Sequence, residues 1–290
     1  ALAQRYGVTP GQVFAANGSN EVLQSLLLAY GGAGRSVAVF EPTYAMYSQI
    51  ARTTGTRLLK GRRATDFSLD SGTARRLVLG EQPDMVILCS PNNPTGTPAA
   101  DGLVADLEEA VGTYGGLLLV DEAYGEFAHG SAADLVSEDR SLVVSRTFSK
   151  TWAMAGARLG YLIAPTWCVA ELEKVALPYH LDALKLEIGV LALDYADEML
   201  DRVQSLVAER DRVAHELARL PVTTWPSAAN FILLRPESRP GVEVWQDLVD
   251  RSVLVRDFTT MPGLDGCLRV TIGSRVENET FLDALREALR

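Results

Sequence analysis

The chain has 290 residues, 47% hydrophobic and 22% charged, which is long enough for one large buried core and a second, smaller one. Its formal net charge of −10 disfavours nucleic acids and anionic membranes as partners, because their phosphates would repel the protein. The three cysteines lie far apart without CxxC spacing, and no apolar run is long enough to span a membrane. We therefore expect a cytoplasmic protein that binds small molecules and has neither a metal site nor disulfides.

Short apolar runs alternate with longer amphipathic stretches through the first part of the chain. Runs of four to six apolar residues without strict alternation are typical of strands buried on both faces, and the segments between them, such as 99–112, suit covering helices. This is the α/β pattern with a largely parallel sheet. The predicted strands lie at 36–40, 84–90, 116–124, 141–150 and 159–165.

The last third of the chain has a different pattern, which predicts a second domain. Residues 183–220 have helical apolar spacing, and a long helix of this kind can connect two domains. Strands at 229–236, 252–257 and 267–273 and a closing helix at 276–290 then predict a compact α+β unit. We place the boundary inside the long helix, which gives a large domain of residues 1–208 and a small domain of residues 209–290.

Polar residues follow three of the predicted strands. Ligands of open α/β sheets bind beyond the carboxyl ends of the strands, and the segments at these ends are PNNPTGT (91–97), DEAY (121–124) and SRTFSK (145–150). Taken alone, the first segment is also typical of a turn, and the second of a strand that ends on an acidic residue and a packed tyrosine. Together they would supply polar groups to one edge of the sheet.

Lys150 is the most informative of these residues. Apolar neighbours such as Phe148 and Trp152 would remove water from its amine and lower its pKa from about 10.4, which would make it a nucleophile and a proton carrier. The ordinary alternative is a lysine whose stem covers apolar surface while its head reaches water. The first interpretation is favoured by two hydroxyls and a guanidinium that resemble a phosphate cradle: Thr147, Ser149 and Arg158.

A second anion-binding segment is predicted at NGSNE (17–21), which forms a turn before a helix at 20–30. The free amides at the N-terminus of such a helix would face a negative group. The alternative is that Ser19 or Asn20 simply caps the helix.

A reactive amine, a phosphate cradle, a carboxylate and a phenol on one edge of a sheet fit pyridoxal phosphate. Here the sequence resembles the fold-type I pyridoxal-phosphate aminotransferases, with a fold like that of aspartate aminotransferase, and within them the histidinol-phosphate aminotransferases. The resemblance covers essentially the whole chain. Its motifs are AANGSNE, PTY (42–44), SPNNPTG, VDEAYGEF, TFSK with Arg158 eight residues on, CLRVTIG and, more weakly, LPYHLD (177–182), in which Asp182 stands where serine is usual.

The resemblance implies a role for each matching residue. Lys150 would bind the cofactor covalently and move the proton in the transamination step. Asp121 would pair with the pyridine nitrogen, Asn93 and Tyr124 would hydrogen-bond the phenolic oxygen, and Tyr44 would stack on the ring. The cofactor phosphate would be held by Ser19, Asn20, Thr147, Ser149 and Arg158.

The same resemblance implies the substrates. Arg269 corresponds to the arginine that binds the substrate carboxylate in the glutamate and 2-oxoglutarate half-reaction. Arg256 corresponds to an arginine that helps to bind the substrate phosphate, and the alternative is an ordinary salt bridge at a strand end. The implied reaction converts L-histidinol phosphate and 2-oxoglutarate to imidazole-acetol phosphate and L-glutamate in histidine biosynthesis. An aromatic amino-acid aminotransferase is the alternative, and a decarboxylase of amino-acid phosphates is a more distant one.

The resemblance also implies a homodimer with the active site at the subunit interface. Family members carry an N-terminal arm ahead of the position of Ala1, so we expect this chain to be a fragment of a longer polypeptide. The alternative is a truncated, inactive relative that has lost part of its pocket, against which the presence of Lys150, Asp121, Tyr124 and Arg269 argues. A non-catalytic sensor that binds the same cofactor is a rival from another class of protein. It would need an attached DNA-binding module, and this acidic chain shows none.

Overall fold

A seven-stranded sheet forms the centre of the larger part of the chain in the computed structural model, which describes residues 1–290. The strands are β1 (Val13–Ala16), β2 (Ser36–Glu41), β3 (Arg57–Arg62), β4 (Met85–Cys89), β5 (Leu117–Asp121), β6 (Leu142–Thr147) and β7 (Gly160–Ile163). Their order in space is β1-β7-β6-β5-β4-β2-β3. The strands β2 to β6 pair in parallel, whereas β7 is antiparallel to both of its neighbours. The predicted α/β class with a mostly parallel sheet is confirmed.

Helices cover both faces of this sheet, which explains the continuous apolar runs of its strands. Alternate residues of β5 point to opposite sides, so Leu118 and Val120 lie in one core and Leu117 and Leu119 in the other. One face is covered by α4 (Ser71–Glu81), α5 (Leu103–Gly112) and the start of α8 (Ala196–Leu217). The other is covered by α2 (Ser19–Ala29), α3 (Ala45–Thr53) and α6 (Thr166–Val175). The remaining helices of this part are α1 (Leu2–Tyr6) and α7 (Ala183–Leu193).

The C-terminal part contains a second, antiparallel sheet with its own core. Its strands are β8 (Val222–Thr224), β9 (Phe231–Pro236), β10 (Arg256–Asp257) and β11 (Leu268–Thr271), in the order β10-β11-β9-β8. The helices α9 (Gly241–Asp250) and α10 (Arg275–Ala288) pack against it. In α8, Val203 belongs to the large-domain core and Val213 to the small-domain core. We therefore keep the division at residue 208 as a proposal.

The expected single helix at 183–220 is wrong, because the chain forms α7 and α8 with a break between them. The amides of Asp194 and Tyr195 donate to carbonyls three residues earlier, which tightens the last turn of α7. The strand predicted at 252–257 is reduced to the two residues of β10. The strands β1, β3 and β8 were not predicted. None of the helices combines the length and the hydropathy needed to cross a bilayer.

Candidate active site

A cavity of about 100 Å³ lies beyond the carboxyl ends of β4, β5 and β6. This is where parallel sheets of α/β proteins bind ligands. Two residues that the sequence did not single out, Cys89 and Ala123, contribute to its wall. The other ten lining residues are the ten expected to contact a cofactor: Ser19, Asn20, Tyr44, Asn93, Asp121, Tyr124, Thr147, Ser149, Lys150 and Arg158.

Asp121 is the last residue of β5 and is only 2% exposed. Its carboxylate accepts a hydrogen bond from the hydroxyl of Tyr47 at 2.7 Å and one from the backbone N–H of Ala123 at 3.1 Å. It forms no salt bridge. Burial raises the pKa of Asp121, against the opposing effect of the Tyr47 hydrogen bond. The site thus contains a buried carboxylate that a cation in the cavity would stabilise.

Lys150 lies in the turn after β6, with its Nζ 5.3 Å from the centroid of the Tyr124 ring. Lys150 as a whole is exposed, but its amine is partly desolvated, which lowers its pKa. The positive charges of Arg269 and Arg158 lower it further. Lys150 has no carboxylate partner. A lowered pKa favours the neutral amine, which is the form that acts as a nucleophile or accepts a proton.

Two glycines leave room for an anion cradle formed by α2 and Arg158. A Cβ added to Gly18 would lie 2.6 Å from the Nη2 of Arg158, and one added to Gly160 would lie 2.4 Å from the backbone nitrogen of Ser19. The Nη1 of Arg158 donates to the Oγ of Ser149 at 3.2 Å. The first turn of α2 and this guanidinium therefore meet in one small space, and both favour a bound anion.

Arg269 connects the small domain to this cavity. Its Nη1 donates to the Oδ1 of Asn93 at 2.7 Å, and its guanidinium lies 4.5 Å from the centroid of the Phe231 ring. Burial lowers the pKa of Arg269, and its Nε is enclosed without a hydrogen-bond partner. Burial also raises the pKa of Tyr124 to about 12, so the phenol keeps its proton at neutral pH.

Arg256 lies beside Arg269, and neither arginine is among the residues that line the cavity. The two arginines face each other in the register of β10 and β11, and Arg256 is exposed. It forms no salt bridge, so the alternative of an ordinary ion pair at a strand end is wrong. Its guanidinium lies 5.8 Å from the centroid of the Phe258 ring.

Tyr47 is the residue with a direct influence on the site that sequence reasoning missed. It is fully buried on α3, one turn after Tyr44, and the two rings pack edge to face with centroids 5.5 Å apart. The sequence did contain a signal for Tyr47. It lies three positions after Tyr44, the tyrosine predicted to stack on the ring, and residues at this spacing lie on the same side of a helix.

Comparison with known proteins gives the class to which this fold and site belong. The family model described as aminotransferase class I and II matches residues 1–285, and the chain belongs to that family. The curated relatives with which it aligns are more specific. It is 45% identical over 277 residues to the histidinol-phosphate aminotransferase of Streptomyces avermitilis, covering 95% of this chain and 74% of the relative. It is also 45% identical over 290 residues to that of Mycobacterium leprae, covering 99% and 75%.

Solved structures share the fold. Histidinol-phosphate aminotransferase from Sinorhizobium meliloti, in complex with pyridoxal-5'-phosphate, superimposes with a TM-score of 0.90 at 24% identity, covering all of this chain and 79% of that one. The histidinol-phosphate aminotransferase from Clostridium acetobutylicum also gives a TM-score of 0.90, at 21% identity, with 99% and 86% covered. At such identities the likeness concerns the fold alone.

Proposed function

We propose that this chain is a pyridoxal-phosphate-dependent aminotransferase that converts L-histidinol phosphate and 2-oxoglutarate to imidazole-acetol phosphate and L-glutamate in histidine biosynthesis. The observation that carries the proposal is the unpaired charge in one small cavity. Asp121, Lys150 and Arg158 all line it, and none of them has an ionic partner of its own. The names of the curated relatives support the choice of substrate.

The residues present fit pyridoxal phosphate at its phosphate, its ring nitrogen and its phenolic oxygen. Arg158, Ser149 and the first turn of α2 would hold the phosphate, and the buried Asp121 would keep the pyridine nitrogen protonated. Asn93 uses its Oδ1 to accept from Arg269, which leaves its amide nitrogen to donate to the phenolic oxygen. When bound, the cofactor supplies a sink for the electrons left behind when the α-proton of the substrate departs.

The protein's own residues would then position the substrate and move a proton. Lys150 is the group in the cavity whose amine would take a proton from the α-carbon, because desolvation and the charges of Arg269 and Arg158 lower its pKa and favour the neutral amine. Arg269, which contacts the lining residue Asn93 from the small domain, would bind the carboxylate of glutamate or 2-oxoglutarate. With Arg256 facing it across the strand pair, the same place carries two guanidiniums for the phosphate of histidinol phosphate.

We also propose a homodimer in the cytoplasm, with the apolar face of residues 177–200 at the interface. This face exposes Leu184 by 76%, Ile188 by 47% and Leu191 by 56%, and exposed apolar patches of this kind mark protein interfaces. This face contacts the segment that leads into the cavity. The Nδ2 of Asn17 donates to the carbonyl of His180, and Asn17 lies two residues before the lining residue Ser19. Leu184→Glu should shift the mass in light scattering towards the monomer. Val276→Glu, at a site 77% exposed on α10, is the matched control and should leave the mass unchanged.

Transfer kinetics test the substrate. The cofactor-loaded protein is assayed for glutamate formation from 2-oxoglutarate with either L-histidinol phosphate or L-phenylalanine as amino donor. We expect histidinol phosphate to be favoured roughly tenfold or more in kcat/KM, because each charge-assisted contact to its phosphate contributes about 1.5–3 kcal/mol. Arg256→Ser should reduce this preference, mainly through KM for histidinol phosphate. A preference for phenylalanine would assign the chain to the aromatic aminotransferases instead.

A further inference from the structure

A second and larger cavity, a groove of about 1080 Å³, lies between the two domains on the side of the edge strand β3. One wall comes from the end of β2, from α3 and from residues 60–67, and the other from Trp225, Arg235 and residues 261–267. It shares no lining residue with the catalytic cavity. We call it the basic groove, after its charged residues.

The basic groove concentrates positive charge in a protein that is acidic as a whole. It is lined by one carboxylate, Glu41, and by five cations: Arg52, Lys60, Arg62, Arg63 and Arg235. The Nζ of Lys60 lies 3.5 Å from Glu41, and none of the four arginines forms a salt bridge. In a chain with ten more carboxylates than cations, four neighbouring arginines without an ionic partner need an explanation.

Arg63 is held in place by the fold, unlike a flexible arginine on the surface. It is only 9% exposed. Its Nε donates to the carbonyl of Phe40 at 3.2 Å and its Nη1 to the carbonyl of Phe67 at 3.3 Å. Its Nη2 has no partner in the chain and is not sealed from solvent, so it is free to donate into the groove.

Burial without a counter-ion is unfavourable for a guanidinium, and desolvation accordingly lowers the pKa of Arg63 to about 10. The group still carries its proton at neutral pH. An anion beside Arg63 would offset the free-energy cost of desolvating its guanidinium. Guanidiniums bind phosphate oxygens through paired N–H donors, and four of them around one groove match a ligand with several negative charges.

We propose that the basic groove is a binding site for a small polyanion of the phosphate-ester class, separate from the catalytic cavity. The ligand lies against Arg63, with Arg62 and Arg52 on the large-domain side and Arg235 on the small-domain side. Because it contacts both domains, it stabilises their mutual arrangement. The proposal does not depend on the identity of the amino donor.

Isothermal titration calorimetry of the cofactor-loaded protein with inorganic pyrophosphate tests the proposal, since the loaded cofactor already fills the catalytic phosphate cradle. We expect saturable binding that weakens with added salt. Arg62→Ser and Arg235→Ser should each weaken it roughly tenfold or more, because each removes a hydrogen-bonded charge contact. Arg57→Ser is the matched control, since Arg57 is an exposed cation of the same strand that pairs with Glu81 outside the groove. It should bind pyrophosphate as the unchanged protein does.

A second control separates the groove from the substrate site. Arg256→Ser removes a guanidinium proposed for the substrate phosphate, and the basic groove should still bind pyrophosphate in this variant. Three results would overturn the proposal: no heat of binding at millimolar pyrophosphate, binding that survives both Arg62→Ser and Arg235→Ser, or binding that is lost in Arg256→Ser. Arg63→Met, checked for an unchanged circular dichroism spectrum, should also lose the affinity.

Discussion

Replacing Tyr47 with phenylalanine isolates one hydrogen bond of the proposed active site. The hydroxyl of Tyr47 is fully buried and donates to the Oδ2 of Asp121 at 2.7 Å, and the N–H of Ala123 donates to the same carboxylate at 3.1 Å. The ring itself packs against Tyr44 and is retained in the variant. The change therefore removes a donor to a buried charge and leaves the core filled.

The expected size follows from the kind of bond that is lost. A hydrogen bond to a charged group contributes about 1.5–3 kcal/mol, which corresponds to roughly 10- to 150-fold in an equilibrium constant. If ionised Asp121 holds the ring nitrogen of the cofactor, cofactor affinity should fall by up to this factor, because a carboxyl group that is protonated in the cofactor-free variant must ionise before it can pair with that nitrogen. Burial already raises the pKa of Asp121, and the Tyr47 hydroxyl opposes that rise. Without it the pKa rises further, so the loss should grow as the pH falls.

Equilibrium dialysis of pyridoxal phosphate over a series of pH values measures this effect, together with kcat/KM at each pH. Tyr114→Phe is the control, because the Tyr114 hydroxyl is buried without a hydrogen-bond partner. It should leave cofactor affinity unchanged. An unchanged affinity and an unchanged acidic limb of the rate profile in Tyr47→Phe would show that the Asp121 carboxylate does not carry the cofactor.

Three further predictions concern buried charges. Asp121→Asn should abolish most turnover yet stabilise the cofactor-free protein. The folded-state pKa of Asp121 is raised above its ordinary 3.8, so the native protein binds this proton more tightly than the unfolded chain does. The contribution of Asp121 to the unfolding free energy therefore falls as the pH rises from 3.8 through the raised value, and the variant lacks this fall. Chemical denaturation at several pH values measures this, and equal pH slopes in both proteins would contradict it. Lys150→Ala should lose the visible absorption of bound cofactor and all transfer activity while keeping the fold, and full turnover would refute the assignment of this lysine. Arg146→Met should cost about 3–5 kcal/mol of unfolding free energy, because it leaves Glu122 and Glu126 buried beside no cation, whereas Arg140→Met, which breaks a more exposed pair with Glu108, should cost about 1 kcal/mol or less. A similar loss in both variants would argue against a stabilising role for the buried ion pairs of Arg146 with Glu122 and Glu126.

The sequence identified the strands that carry the site because β4, β5 and β6 are buried on both faces and appear as continuous apolar runs. The polar segments after them then had to meet at one edge of the sheet, since parallel strands end on the same side. The edge strand β3 was missed for the opposite reason: its sequence, RLLKGR, is half exposed and charged and lacks a pattern of its own. The helix expected at 183–220 failed because the apolar spacing continues through a break that only the backbone hydrogen bonds reveal.

What the sequence determined was therefore the class of fold, through its apolar runs, and ten residues that line the cavity, through the motifs that it shares with a known family, because both depend on local patterns and on their order along the chain. The tertiary structure decided which side chains influence one another across the chain. It brought the hydroxyl of Tyr47 to Asp121, 74 residues away. It set Arg256 beside Arg269, and it gathered the arginines of the basic groove from separate elements of both domains. Such pairings depend on long-range packing, which leaves no periodic signal in the sequence.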